Sequence, residues 1–171
     1  MNKSDEPIFG ERAETEQKQN SEPPLADKIR ELVTAQPYAV LCVQGEGQPY
    51  GALVAFAFSD DLRQAVFSTP VTTRKFRLLS ECDHVALVID NRPNRGEELM
   101  EIEAVTATGR SVLLNRDGEF NCWAELLTAK HPYLKSVLKA ETTALIRVDI
   151  VRYFHVVRFQ EVRQWIPPDL S

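Results

Sequence analysis

The chain has 171 residues, 43% of them hydrophobic, which suits a single domain with a real core. A net charge of −5 excludes the basic profile of a nucleic-acid binder. No apolar run is long enough to span a bilayer, and the stretch MNKSDEPIFGERAETEQKQNSEPP has no hydrophobic signal region, so a cytoplasmic protein with no membrane partner is expected.

Residues 1–23 are polar, with Ile8 and Phe9 the large apolar pair, and are expected to be a disordered or loosely docked tail. Pro23 and Pro24 mark the start of one domain, residues 24–171. Leu25, Ile29, Leu32 and Val33 recur at helical spacing, so residues 25–35 should form a short amphipathic helix, ended by Pro37. YAVLCV (38–43) and YGALVAFAF (50–58) read as strands joined by the turn residues GEGQP, hence a hairpin. After SDD (59–61), QAVFST (64–69) reads as a third strand, which Pro70 stops because it cannot donate to the ladder.

From Thr73 the period changes to helical. Phe76, Leu78 and Leu79 share a face, Arg74, Lys75 and Arg77 are polar, and Thr73 stands where an N-cap belongs. A helix N-terminus next to a hydroxyl and two cations has the chemistry of a dianion site. Outward N–H groups and the helix dipole favour negative charge, and Arg can grip two oxygens at once. First-turn cations are more often simply solvated, and they oppose the macrodipole. The order of the surrounding elements is what favours a ligand here.

HVALVID (84–90) is apolar enough for a core strand, and 91–100 reads as a loop. Residues 101–114 alternate as a long strand with a bulge or bend at Gly109. A helix carrying Phe120, Trp123, Leu126 and Leu127 follows, then a second short helix after Pro132 with Tyr133, Val137 and Leu138. TALIRVDIVRYFHVVRF (143–159) is β-branched and long enough for one bent strand or two. The sum is a mainly β, α+β protein: a six-stranded antiparallel split barrel with flanking helices.

Cys42, Cys82 and Cys122 suit neither a disulfide framework nor a zinc site and read as small buried hydrophobes. His84, His131 and His155 lie in different elements, so no metal is expected. His131 reads as a surface or capping residue, whereas His155 sits on a strand that could face a cavity. The sequence carries no Gly-x-Ser-x-Gly nucleophile motif, phosphate loop or dinucleotide fingerprint, so no catalytic side chain is assigned.

Val66, Phe67, Thr69, Thr73, Arg74 and Lys75, followed by FRLLSECDHVALVID, form the run V-F-x-T-x-x-(S/T)-R-K into a helix and then a strand. In this order of elements the chain resembles the pyridoxamine 5′-phosphate oxidase-like FMN-binding split-barrel superfamily over about residues 25–167. The resemblance implies FMN, with Arg74 and Lys75 on its phosphate and Thr73 donating a hydroxyl bond. Thr69 would face the ring or ribityl chain, and Leu53, Val54 and Ala55 would present backbone groups to the ring's polar edge. It implies a homodimer with FMN between subunits, Trp165 and Arg158 reaching the partner's flavin. An oxidoreductase acting on a small reducible substrate with a nicotinamide donor follows. The alternative is a non-catalytic flavin, haem or deazaflavin carrier on the same barrel, with His155 the residue that would meet haem. Three departures point to a member other than the oxidase proper. Pro49, Tyr50 and Gly51 stand where a cation is expected, Ala104 beside Glu103 where a Gln is expected, and the chain ends IPPDLS without a basic signature.

Overall fold

The computed structural model describes residues 14–15, 24–92, 99–158 and 161–168. In chain order the elements are β1 (Glu14–Thr15), α1 (Leu25–Ala35), β2 (Tyr38–Gly45), β3 (Gln48–Phe58), β4 (Gln64–Pro70), α2 (Arg74–Glu81), β5 (His84–Asp90), β6 (Ala104–Leu113), α3 (Gly118–Lys130), β7 (Thr143–Val157) and β8 (Glu161–Trp165). The strands lie in the order β1-β8-β7-β4-β3-β2-β5-β6, and β6 also pairs with β7. That extra pairing closes β2 to β7 into a six-stranded antiparallel barrel, with β8 added along the far half of β7. Of the expected tail, only Glu14–Thr15 is described; it pairs in parallel with Arg163 and Gln164. Ile8 and Phe9 lie outside the described residues.

Two layers of apolar packing explain why some strands do not alternate. Inside the barrel, Leu41, Phe56, Phe67, Leu87, Ile89, Val105, Ile146 and Tyr153 are sealed, together with Leu25 and Ile29 of α1. Outside it, α3 lays Phe120 and Leu127 over Ala57, Val66 and Leu145. Ala65, Val66 and Phe67 of β4 are therefore all buried, because both faces of that strand are covered. Asp117 caps α3 by accepting from the N–H groups of Glu119 and Phe120. At the other end of α3, Lys130 Nζ donates to Val33 O at 2.7 Å and sits 3.9 Å from the centre of the Phe56 ring. Burial lowers its pKa to about 8.

The bulge expected at Gly109 exists, but the extra residue belongs to the facing strand. Thr108 pairs with Arg152 and Gly109 with Ile150, so Val151 is the residue inserted. Gly109 is needed opposite it, since a Cβ there would stand 2.4 Å from Asp149 O. One bent strand, β7, thus spans residues 143–157. The helix expected after Pro132 is instead two 3-10 turns, Pro132–Lys135 and Val137–Lys139, too short for α-helical bonding to propagate. The strand expected from 101 starts at Ala104, after a 3-10 turn at Leu99–Glu101. Part of the expected 91–100 loop, residues 93–98, lies outside the described residues.

Candidate functional site

The barrel is split between β3 and β4. Their ladder holds Phe56, Ala57 and Phe58 against Phe67, Val66 and Ala65. Continuing the register would set Ala55, Val54 and Leu53 opposite Ser68, Thr69 and Pro70, yet these do not pair. β4 keeps its full ladder to β7 through Pro70–Thr143, so the two strands part at this point. The β2–β3 hairpin turns on Glu46 and Gly47, with φ of 52° and 78°, which makes Gly45–Gln48 a hydrogen-bonded pair. Alternation then aims the N–H and C=O groups of Gly51, Leu53 and Ala55 away from β2, into the gap. An open strand edge of this kind can bind the polar rim of a flat heterocycle.

The N-terminus of α2 stands beside the gap. Thr73 is the N-cap, and its Oγ1 accepts from Phe76 N at 3.3 Å. It also lies 2.9 Å from Pro70 O and 2.9 Å from Thr69 Oγ1. Thr69 is fully buried at the end of β4, so its hydroxyl serves Thr73 rather than open space. The single proton of Thr73 is taken up within this cluster. Its contribution is therefore the cap that leaves the N–H groups of Arg74 and Lys75 pointing outward.

Arg74 is exposed and Lys75 half-buried, and α2 has no acidic residue in its first turn. Neither cation has a carboxylate partner among the described residues. Elsewhere, Arg77 pairs with Glu81, Arg92 with Asp90, Arg110 with Asp83 and Arg147 with Asp149. Two unneutralised cations at the positive end of a helix leave a site short of an anion. The Arg74 guanidinium lies 5.2 Å from the centre of the Tyr50 ring, in the region where a cation was expected.

Of the remaining predicted residues, Leu53 and Ala55 meet the gap through their backbone groups, Val54 turns its own toward β2, and Trp165 and Arg158 lie elsewhere. Leu53 is 68% exposed on the outer wall of the barrel, Val54 is buried and Ala55 half-buried. Trp165 packs on Tyr153 with ring centres 5.5 Å apart. Arg158, at φ 48°, turns β7 into β8 and pairs with Glu161 at 3.2 Å. These two lie at the opposite end of the barrel from α2. The eleven steps along the strand from Ala144, which faces Thr69, to His155 span roughly 35 Å at about 3.3 Å each.

That opposite end holds a cavity of about 180 Å³ lined by Lys28, Glu103, His155, Arg158, Glu161 and Arg163. His155 is 1% exposed; neither ring nitrogen makes a hydrogen bond, and Nε2 stands 3.5 Å from Glu103 Oε2. Burial lowers the His155 pKa, against the pull of Glu103. The strand edge that carries β8 was not legible in EVRQW, whose alternation is too brief to stand out. His131 is the C-cap of α3, its backbone N–H donating to Leu127 O, but it is buried and not a surface residue: its Nε2 bonds Phe56 O at 2.9 Å and its ring stacks on Tyr38. Cys42 and Cys82 are half-buried and Cys122 is exposed on α3, where the apolar stripe faces away from it. Among the described residues no three His, Cys, Asp or Glu side chains gather as a metal site, and no helix is long and apolar enough to cross a membrane.

Comparison with solved structures gives the same fold repeatedly. A haem binding protein from Mycobacterium smegmatis superposes with a TM-score of 0.77 at 13% identity, covering 86% of this chain and 60% of that one. An FAD-binding protein from Mesorhizobium loti matches with a TM-score of 0.61 at 15% identity, covering 76% and 92%. The haem storage protein HutZ from Vibrio cholerae gives 0.59 at 14% identity, covering 72% and 88%. The chain thus spans about three fifths of the first of these proteins, and at such identities the likeness is one of fold. No curated protein sequence matches. The family model described as pyridoxamine 5′-phosphate oxidase matches residues 25–165, from the first residue of α1 to the last of β8. With that match, and the split between β3 and β4 that it frames, the chain belongs to the pyridoxamine 5′-phosphate oxidase family of split barrels.

Proposed function

We propose that the protein is an FMN-binding flavoprotein, and an oxidoreductase that reduces a small substrate at the expense of a nicotinamide donor. The carrying observation is the pair of unneutralised cations, Arg74 and Lys75, on the capped N-terminus of α2 beside an unpaired edge of β3. A phosphate fits the first feature, and the polar rim of an isoalloxazine fits the second. FMN, when bound, would supply the hydride and electron chemistry. The chain's part is to hold the phosphate with Arg74, Lys75 and the first-turn N–H groups, and to orient the ring along Gly51, Leu53 and Ala55.

A homodimer belongs to this reading. The outward row Val40, Cys42, Gly51, Leu53, Ala86 and Val88 forms a face of small and apolar side chains on adjacent strands. A second copy seated on that face would cover the open side of the gap. It could also bring its own Trp165 and Arg158 toward the flavin.

The purified protein should be yellow or should take up added FMN at micromolar concentration. Arg74→Ala with Lys75→Ala should weaken FMN at least 100-fold, since charge-assisted bonds contribute about 1.5–3 kcal/mol each. A colourless protein that ignores FMN, or a double variant that binds as the parent does, overturns the assignment.

A second reading has one observation in its favour: His155 is buried beside a cavity with both ring nitrogens unbonded. It would make the protein a haem binder. At about 180 Å³ the cavity falls below the usual ~300–1,000 Å³ of pockets that enclose organic ligands. A Soret band on haem addition that disappears in His155→Ala would support this reading over the flavin.

A further inference from the structure

The β2–β3 hairpin touches α2 at two levels. At the second turn of the helix, a Cβ on Gly45 would stand 2.4 Å from Leu78 Cδ2 and 3.0 Å from Glu81 Oε2, so the hairpin tip is pressed against the helix. At the first turn, the Tyr50 ring lies under the Arg74 guanidinium at 5.2 Å. Tyr50 is half-buried on the inward row of β3 and packs against the barrel core, which fixes its ring. Arg74 is exposed, sits on a long flexible stem and has no carboxylate to hold it among the described residues. The face of an aromatic ring attracts a guanidinium without neutralising it. The head group is thereby restrained, and its five N–H donors stay available at the edge of the plane.

We infer that Tyr50 is a positioning residue that confers preference for a phosphorylated ligand: it holds the Arg74 guanidinium beside the N-terminus of α2, ready for a phosphate. This rests on the flavin reading above. A tyrosine here does through restraint what a cation would do through charge. A carboxylate holding Arg74 instead would cancel the charge that the phosphate needs. Because a restrained side chain has less freedom to lose, binding is tighter than for a free arginine. The effect acts on the phosphate end alone, so it should not extend to riboflavin, which has the same ring and no phosphate.

The test measures dissociation constants for FMN and for riboflavin in the parent, Tyr50→Leu, Tyr50→Phe, Arg74→Ala and the double variant that combines Tyr50→Leu with Arg74→Ala. Tyr50→Leu should weaken FMN about five- to tenfold, within the range of an exposed to partly desolvated cation–π contact, and leave riboflavin within twofold. Tyr50→Phe keeps the ring and should stay within twofold for both. In the Arg74→Ala background, Tyr50→Leu should have no further effect on FMN. If Tyr50→Leu loses both flavins equally, or weakens FMN just as much without Arg74, the residue has only a packing role. Should Tyr50→Leu not fold, failure of Tyr50→Phe to keep the FMN preference overturns the proposal by itself. A parent that prefers FMN to riboflavin while no Tyr50 variant changes that preference removes this inference and leaves the flavin reading intact. A parent that binds neither flavin removes both.

Discussion

His155, expected on a strand that could face a cavity, does line one, and its surroundings there set its chemistry. On β7 it lies amid Tyr153, Phe154 and Val156, and the fold buries it with both ring nitrogens unbonded. Burial disfavours its charged form, with Lys28 and Arg163 adding to that effect and Glu103 opposing it; Arg158, Glu101 and Glu161 also line the cavity. The folded pKa is thus below the unfolded value of 6.5, and the unfolded chain takes up the proton first as the pH falls. Stability contributed by neutral His155 is full above about pH 6.5 and is lost as the pH drops toward the folded pKa. His155→Leu should flatten this acid limb of the stability curve, as read by urea denaturation between about pH 7 and 5. An unchanged limb would show that protonation is accommodated beside Glu103.

At the scale of an element, α2 combines two roles that chemistry can separate. Thr73 caps the helix, while Arg74 and Lys75 supply positive charge at the same end. Thr73→Asp keeps an acceptor for Phe76 N but loses the hydroxyl that donates to Pro70 O, so a loss of about 0.5–1.5 kcal/mol in stability is expected. The new carboxylate would face any phosphate at the helix end and compete for Arg74. FMN should weaken at least tenfold while the protein stays folded with only a small drop in its melting temperature, which paired thermal and flavin titrations can check. The helix and its cap were legible in TTRKFRLL because local hydrogen bonding and a 3.6-residue period decide them. The two 3-10 turns after α3 were not, since Tyr133, Val137 and Leu138 have helical spacing whether or not a full turn closes. Nor was the engagement of Thr73 with Thr69, which depends on where β4 ends relative to the first turn of α2.

At the scale of the molecule, the proposed dimer makes a claim about the outer wall. Leu53 is 68% exposed in the protomer, so Leu53→Glu should change protomer stability by no more than about 0.5 kcal/mol. On an apolar interface the same charge would be buried without a partner and should drive the protein to monomer, with loss of FMN. Light scattering after size exclusion reads the first result, and flavin absorbance of the eluted peak reads the second. A variant that stays dimeric and yellow would place the interface elsewhere.

Period and turn chemistry alone determined most of the strands, the three α-helices and the cation pair at the head of α2, because those features arise from neighbours along the chain. The closure of the barrel by β6 on β7, the parting of β3 from β4, the burial of His131 and His155 and the stacking of Arg74 on Tyr50 were decided only by tertiary structure. Each of these joins residues remote in sequence, and nothing local records which strand will lie beside which. Tyr50 and Arg74 stand on opposite sides of β4 in the chain, and only the folded hairpin brings the ring under the guanidinium.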